Sequence, residues 1–352
     1  MRDKKRKNTL AASNLESPLN HKNMPNQFSK RAKRFITKLA IIISAALLAG
    51  AVYQFVGTKI DERKYPAPGS MVDVGGYNLH LYCTGEGKQT VVLEAGLGGG
   101  VLDWSVVQPE IAKFTRVCSY DHAGAGWSEQ GPDPRNSGQI VKELHILLEN
   151  AGLQPPFVLV GHSLGGANVQ LYASQYPDEV AGVVLVDSSH ENQFLRKELP
   201  AHSSVYSLLM KGLAPVGVLR LLYKLKQPSE NISPDLASNL AAVYSRTGHT
   251  FSVADEFSNM AKSMEQLRQT PMRLVDKPLI VLTHGKPQDN KNAERAWQEL
   301  QSELASRSSN GKLIIASESG HYIQFDEPAL VVDAIRRVLN SANGQYHAEA
   351  GF

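Results

Sequence analysis

From about residue 71 onward, two hydrophobic patterns take turns along the chain. Short continuous apolar runs predict buried strands, and segments with apolar residues three or four positions apart predict helices. The predicted strands cover residues 71–74, 77–83, 90–93, 115–120, 156–160, 180–186, 278–282 and 312–316. The predicted helices between and after them cover residues 101–113, 137–151, 164–175, 293–306 and 328–340. Alternating strands and helices predict a mostly parallel central sheet with helices on both faces.

The alternation stops between residues 187 and 271, where only helical patterns follow one another. The helices predicted there cover residues 205–211, 216–225, 233–245 and 252–267. A helical segment that interrupts an α/β pattern predicts an inserted subdomain, which we place at about residues 188–275. We therefore expect one α/β domain over residues 71–345 with this segment as a cap over one end of the sheet.

Ahead of this domain lies an apolar run over residues 39–58 that contains no charged residue. A helix of that length spans about 30 Å, the thickness of the hydrocarbon core of a bilayer. Five basic residues precede the run and a mixed cluster follows it, so the positive-inside rule places the N-terminus in the cytoplasm. The sequence predicts a signal anchor over residues 35–58, a linker over residues 59–70 and an extracytoplasmic domain at the cell membrane. The alternatives are a signal peptide cleaved at Ala49-Gly50-Ala51, which would release a secreted protein, and a buried helix.

Charge is unevenly distributed along the chain. The whole chain carries +3, but residues 1–34 contain ten basic and two acidic residues, and the remaining 318 residues have a net charge of −5. A mildly acidic folded domain is unsuited to nucleic acid, so no nucleic-acid partner is expected. The polar, basic residues 1–34 have no hydrophobic pattern and are predicted to be disordered.

Cys83 and Cys118 are the two cysteines of the chain, and both fall in predicted strands. Two cysteines at this spacing are too few for a zinc site of the Cys-pair type, and no metal is expected. In an extracytoplasmic domain the pair could form a disulfide, whereas two buried thiols in a sheet are the alternative.

The segment Gly161-His162-Ser163-Leu164-Gly165 lies between the strand at 156–160 and the helix at 164–175. A sharp strand-to-helix turn crowds the positions two residues before and after Ser163, which explains the two glycines. Such a turn projects the hydroxyl into a cleft beside a helix N-terminus, where unpaired N–H groups favour negative charge. In this context G-x-S-x-G predicts that Ser163 is a nucleophile, and a purely structural turn is the alternative.

A serine nucleophile needs a base and an acid that orients the base. His321 follows the strand at 312–316, at the sheet edge where ligand chemistry gathers in such folds. Asp187 directly follows the strand at 180–186, and Asp289 lies in the loop after the strand at 278–282. Both carboxylates could reach His321. We favour Asp187 because it is attached to a strand end, and Asp289 remains the alternative acid.

The negative charge that develops on an attacked carbonyl needs N–H donors that are in place before the reaction. The backbone N–H of Leu164, which follows the nucleophile, is one candidate. The N–H of Leu97 in the glycine-rich loop Ala95-Gly-Leu-Gly-Gly-Gly100 is the other. This loop lacks the lysine and the spacing of nucleotide-binding loops, so no nucleotide cofactor is expected.

Four motifs occur in this order: EAGLGGG, SYDHAGAGWSE, GHSLGG and SGHYIQFDEP. With this order and spacing, residues 71–339 resemble the α/β-hydrolase superfamily, in which the triad also runs Ser, Asp, His along the chain. The chain departs from the family pattern at Ala95, where the loop usually starts His-Gly, and at His122, where Asp-Arg-x-Gly is common. The family's acid commonly follows the strand at 278–282, and Asp289 lies one residue later than that position.

The resemblance implies a serine hydrolase that cleaves a carboxylic ester or a similar acyl substrate and needs no cofactor. Apolar residues of the cap suggest a small-molecule substrate with an apolar part, although the same residues also suit packing on the sheet. Other chemistries use the same triad, namely those of aminopeptidases, C–C hydrolases and cofactor-free haloperoxidases, and a non-catalytic binding member is the remaining alternative. Family members with an aspartate nucleophile, such as dehalogenases and epoxide hydrolases, are disfavoured because the elbow carries Ser163.

Overall fold

A computed structural model describes residues 24–199, 204–225, 231–287 and 289–344 of the protein. The chain divides into two units, Met1–Ala49 and Gly50–Phe352, and the first helix, α1 (Met24–Lys64), runs from one into the other. The helix begins earlier than the predicted anchor at 35–58, so the expectation of a disordered tail is wrong for residues 24–34. Lysine and arginine are good helix formers, and extending an existing helix is far easier than starting one. Residues 1–23 lie outside the described residues.

An eight-stranded sheet forms the centre of the second unit, with strand order β1-β2-β4-β3-β5-β6-β7-β8. Its strands are β1 (Ser70–Asp73), β2 (Asn78–Thr84), β3 (Thr90–Glu94), β4 (Arg116–Tyr120), β5 (Phe157–His162), β6 (Val180–Val186), β7 (Leu279–His284) and β8 (Gly311–Ala316). β1, β2 and β4 pair antiparallel, and every other neighbouring pair is parallel. The carboxyl ends of β3 to β8 therefore meet at one edge, as the alternating pattern predicts.

Helices cover both faces of this sheet. Outside the cap they are α2 (Gln108–Ile111), α3 (Ser137–Asn150), α4 (Leu164–Gln175), α9 (Lys291–Ala305), α10 (Ile323–Asp326) and α11 (Pro328–Ala342). One large apolar cluster packs α3 and α4 on one face, and a second packs α2 and α11 on the other. The predicted helix at 101–113 is wrong. Its sequence forms a 3-10 turn, Val101–Trp104, and the short α2, because Pro109 lacks an N–H and restricts the residue before it.

Among the described residues, four α-helices lie between β6 and β7, where the cap was expected. They are α5 (Ser204–Leu213), α6 (Val218–Leu225), α7 (Pro234–Tyr244) and α8 (Thr247–Gln269). α8 also contacts α3 and α4 of the main domain. The insertion therefore lies on the sheet domain and brings cap residues close to the carboxyl ends of the strands.

A disulfide joins Cys83 and Cys118, the pairing that the sequence left open. The two residues are directly opposite each other on β2 and β4. The covalent bond therefore links the antiparallel edge of the sheet to its parallel part. Disulfides persist in oxidising compartments, which agrees with an extracytoplasmic domain.

Candidate active site

Ser163 occupies a strained turn between β5 and α4. Its backbone has φ 51°, a left-handed conformation that costs a non-glycine residue about 1–3 kcal/mol. The flanking glycines are required by space. A Cβ on Gly161 would lie 2.5 Å from the carbonyl oxygen of Gly165, and a Cβ on Gly165 would lie 2.3 Å from that of Ala95. The crowding predicted on both sides of Ser163 is therefore present.

The two candidate oxyanion donors, Leu97 and Leu164, flank this turn. Leu164 is the first residue of α4, so its N–H belongs to the helix end that has no intrahelical acceptor. Leu97 lies in a turn closed by a 2.9 Å hydrogen bond from the N–H of Gly99 to the carbonyl of Gly96. A Cβ on Gly96 would lie 3.0 Å from the Cβ of Ser163. The glycine loop thus comes close enough to the serine for its backbone to face the same space.

His321 lies in the loop between β8 and α10, beside the serine turn. Its ring centroid is 4.7 Å from that of His162, the residue before Ser163, and its carbonyl accepts a 2.9 Å hydrogen bond from Nε2 of His162. The His321 side chain is 41% exposed, so a solute can reach it. Burial lowers the pKa of His162 to about 3, so that neighbouring imidazole is neutral at pH 7.

The structure brings Asp187 and His321 together. Nδ1 of His321 donates to Oδ2 of Asp187 at 2.6 Å. Asp187 is fully buried at the end of β6, and it also accepts hydrogen bonds from the backbone N–H and ring of His284, from Nε1 of Trp297 and from the hydroxyl of Thr283. Burial alone would raise the pKa of Asp187, but hydrogen bonds from His284 and His321 outweigh it and hold this pKa well below its usual range. The carboxylate stays ionised.

Asp289, the alternative acid, is exposed and lies in the segment between Pro287 and the N-terminus of α9. Asp187 and Asp289 follow neighbouring strands, and the described structure pairs the first of them with His321.

His284 is a part of this site that the sequence did not single out. It is the last residue of β7, and its Nδ1 lies 2.9 Å from Asp187 while its Nε2 lies 3.1 Å from Glu294. Burial opposes protonation, but the hydrogen bond to Asp187 and the Glu294 carboxylate raise the pKa of His284 to about 9. It is therefore an imidazolium at pH 7. Its position at a strand end beside β6 was the available signal.

His122 is the centre of a second histidine cluster, which it forms with two carboxylates. His122 places Nε2 2.8 Å from Glu94 at the end of β3 and Nδ1 2.9 Å from Glu256 on α8. Asn168 donates to Glu94 at 2.6 Å. Burial opposes the charge on His122, but the carboxylates of Glu256 and Glu94 raise its pKa well above the usual value. His122 occupies the position at which the family pattern often carries arginine, and it supplies a cation there.

Residues 89–328, more than half of the chain, match the sequence profile of a family described as alpha/beta hydrolase fold. The chain therefore belongs to the α/β-hydrolase family, and this membership supports hydrolase activity. The α/β-hydrolase fold predicted from the sequence is confirmed.

Among known proteins, the chain is 29% identical over 262 residues to an uncharacterized Bacillus subtilis protein, covering 73% of this chain and 86% of the relative. It is 26% identical over 283 residues to an AB hydrolase superfamily protein of Gibberella zeae, covering 72% and 87%. A Vigna radiata epoxide hydrolase superposes with TM-score 0.62 at 16% identity, covering 77% and 98%. A Thermogutta terrifontis esterase does so with TM-score 0.58 at 19% identity, covering 78% and 98%. At these identities the solved structures show a shared fold alone.

Proposed function

We propose that this hydrolase is a membrane-anchored serine esterase that cleaves a carboxylic ester or a similar acyl substrate. Ser163 is its nucleophile, His321 its general base and Asp187 the acid of its triad. The observation that carries the proposal is the 2.6 Å hydrogen bond between Asp187 and Nδ1 of His321, beside the strained serine turn.

The hydrogen bond to Asp187 has a chemical consequence for His321. Because an ionised carboxylate only accepts, Nδ1 of the neutral ring carries the proton and Nε2 has the lone pair. Nε2 takes the proton of Ser163 as its oxygen attacks the substrate carbonyl. Asp187 then stabilises the imidazolium that forms.

The tetrahedral intermediate carries its negative charge on the former carbonyl oxygen, facing the N–H groups of Leu164 and Leu97. When it collapses, the bond to the alcohol oxygen breaks and His321 donates its proton to that oxygen. Water deprotonated by His321 then attacks the acyl-Ser163 ester, and the acid leaves as Ser163 regains its proton. The two steps consume one water molecule, release the alcohol and the acid, and return Ser163 and His321 to their starting states without a cofactor.

We also propose that α1 anchors the domain on the outer side of the cell membrane. Within the described residues, Lys30–Lys64 is the one unbroken helix long and apolar enough to cross a bilayer. Basic residues precede its uncharged part, and the domain that follows contains a disulfide. Protease added to intact cells with a permeable wall should digest the domain. Protection from that protease would contradict the orientation.

A fluorophosphonate probe on the full-length protein in detergent tests the nucleophile. We expect covalent labelling of the wild type and none of Ser163→Ala. Ser189→Ala is the matched control, since the backbone N–H of Ser189 donates to the Ser163 carbonyl at 2.9 Å and its hydroxyl has no role in the mechanism. A folded wild-type protein that takes up no label on Ser163 would refute the catalytic proposal.

Labelling alone does not separate ester hydrolysis from the other chemistries of a serine triad. Full-length protein should therefore be assayed with p-nitrophenyl esters of graded acyl length and with aminoacyl-p-nitroanilides. Turnover of the esters at a rate at least tenfold above that of the anilides is expected. The opposite order would indicate an aminopeptidase.

A further inference from the structure

The cap carries a cluster of large apolar side chains that face away from the protein. They lie on α5 and α6, two short helices bent by 94° relative to each other. The cluster comprises Val205, Tyr206, Leu208, Leu209, Val218, Leu221, Leu222 and Leu225, each between 36% and 74% exposed. Soluble monomers rarely expose so many large apolar residues together, so this surface, which we call the cap apolar face, indicates a partner.

α6 is attached to the C-terminal part of α1 by a buried cation. The guanidinium of Arg220, on a residue only 1% exposed, donates to the Gln54 carboxamide oxygen at 3.0 Å and to the Thr58 hydroxyl at 2.9 Å. It also forms an ion pair with Asp61. Gln54 in turn donates to the Ser245 carbonyl at 2.9 Å at the end of α7. Because removing any partner would leave a buried charge poorly paired, this contact fixes α6 against α1.

Close backbone contacts join the same two elements. A Cβ on Gly50 would lie 2.4 Å from the carbonyl oxygen of Val216, and a Cβ on Gly217 would lie 2.8 Å from the Tyr53 ring. Gly217 also has φ 71°, a conformation that favours glycine. The turn between α5 and α6 therefore packs directly on α1 at Gly50.

The position of this contact along α1 indicates which partner covers the cap apolar face. The uncharged run ends at Thr58, and Gly50 lies eight residues earlier, which is about 12 Å along a helix. If α1 spans the bilayer, the turn between α5 and α6 is beside the hydrocarbon-spanning part of α1 rather than above it. At the end of α6, the ammonium group of Lys224 lies 5.5 Å from the centre of the Tyr53 ring, a cation–π contact that accompanies this packing.

We propose that α5 and α6 enter the outer leaflet of the bilayer, with the cap apolar face against lipid acyl chains. This proposal rests on the proposed anchoring by α1. It adds a second membrane-embedded element and places the cap at the lipid surface. Burial of apolar area against lipid supplies the binding energy, while Arg220 sets the depth.

Depth-dependent quenching in the full-length protein tests the proposal. The native cysteines are joined in a disulfide, so one introduced cysteine is a single free thiol for a fluorophore. Leu222→Cys and Leu208→Cys report on the cap apolar face. Val52→Cys, 53% exposed on α1, reports on the anchor, and Ser238→Cys, exposed on α7, is the cap control. Each labelled protein is reconstituted into phosphatidylcholine vesicles that carry nitroxide groups on their acyl chains.

We expect the nitroxide lipids to remove most of the fluorescence at Leu222, Leu208 and Val52 and little of it at Ser238. Quenching at Val52 but at neither cap site would overturn the cap proposal and leave the anchor intact. Absence of quenching at Val52 would contradict the anchor itself, and the cap proposal with it. Shielding of Leu222 from both lipid nitroxide and a water-soluble quencher would mean that a second copy covers the cap apolar face, which would also overturn the proposal. Fluorophosphonate labelling of Ser163 is independent of all these outcomes.

Discussion

Two histidine–carboxylate clusters in this protein have inverted arrangements. In one, the carboxylate of Asp187 lies between the imidazoles of His321 and His284, and Glu294 lies on the other side of His284. In the other, a single imidazole, His122, lies between the carboxylates of Glu94 and Glu256. Both contain the same chemical groups, yet only the first has a member that solvent reaches, since the His321 side chain is 41% exposed and that of His122 is 6% exposed.

The difference shows that the arrangement of the charged groups decides what such a cluster can do. Around Asp187 the carboxylate keeps its charge, so the exposed imidazole of His321 has a fixed negative partner. Around His122, two carboxylates keep the imidazole charged. The resulting ion group joins three parts of the chain, namely β3, the segment that follows β4, and helix α8 of the cap. We therefore expect loss of the Asp187 carboxylate in the first cluster to reduce catalysis and loss of the His122 cation in the second to reduce stability.

The largest effect should come from Asp187→Asn. An amide cannot stabilise the imidazolium of His321 as a carboxylate does, and it allows the wrong ring tautomer. We expect kcat for a p-nitrophenyl ester to fall about 10³–10⁴-fold. The rate is measured on full-length protein below the melting temperature of the variant.

Asp289→Asn is the matched control because it makes the same change at the exposed alternative acid. Its kcat should stay within about twofold of the wild type. If this variant loses activity and Asp187→Asn does not, the acid is Asp289 and the contrast between the two clusters fails.

The next largest effect should come from His122→Gln. This change removes the cation from between Glu94 and Glu256 and leaves two buried carboxylates without an ionic partner. We expect the free energy of unfolding to fall by about 3–5 kcal/mol near pH 6.5. Denaturant unfolding of the full-length protein in detergent, followed by tryptophan fluorescence, provides the measurement.

The pH dependence of this loss has a defined sign. Because folding raises the pKa of His122, its contribution is complete below about pH 6.5, the unfolded value, and is lost as pH rises through the higher folded pKa. The difference in the free energy of unfolding between wild type and His122→Gln should therefore become smaller at alkaline pH.

At low temperature, where His122→Gln is still folded, this variant should react with the fluorophosphonate probe as the wild type does. If folded His122→Gln no longer reacted with the fluorophosphonate probe, His122 would have a role in catalysis.

A smaller effect is expected for His284→Gln, since glutamine still offers Asp187 one donor. The pKa of about 9 for folded His284 means that its charge stabilises the fold fully below about pH 6.5 and ceases to do so as pH rises to about 9. We expect a loss of about 1–2 kcal/mol at pH 6.5 that disappears near pH 9. Melting temperatures of both proteins across this range provide the test. A difference in melting temperature that does not change with pH would mean that the substitution destabilises the fold through lost packing.

Local sequence was sufficient for part of the site. The glycines around Ser163 and the order of strands and helices follow from neighbouring residues, because a sharp turn and a buried strand each impose requirements within a few positions. The predicted helix at 101–113 was wrong where Pro109 outweighed its apolar pattern. The acid stayed ambiguous because Asp187 and Asp289 both follow strands of the same sheet.

The remaining features depend on contacts between distant parts of the chain. His284 meets Asp187 across 97 positions, and Arg220 meets Gln54 across 166. The sequence around Arg220 and the sequence around His284 contain no local pattern that indicates the partner of either residue. Sequence alone therefore singled out Ser163 and His321 as candidates, whereas the ion pairs around them depend on how the strands and the cap assemble.

The disulfide between Cys83 and Cys118 has a mechanical consequence for a tethered domain. A pull on an anchored α1 that broke its contacts with α6 would enter the domain through residues 65–69 and reach β1, the edge strand, first. An edge strand can be peeled from its neighbour one hydrogen bond at a time, which needs little force. The covalent link from β2 to β4 would stop that peeling one strand into the sheet, so the strands that precede Ser163 and Asp187 would keep their pairing until the bond is reduced.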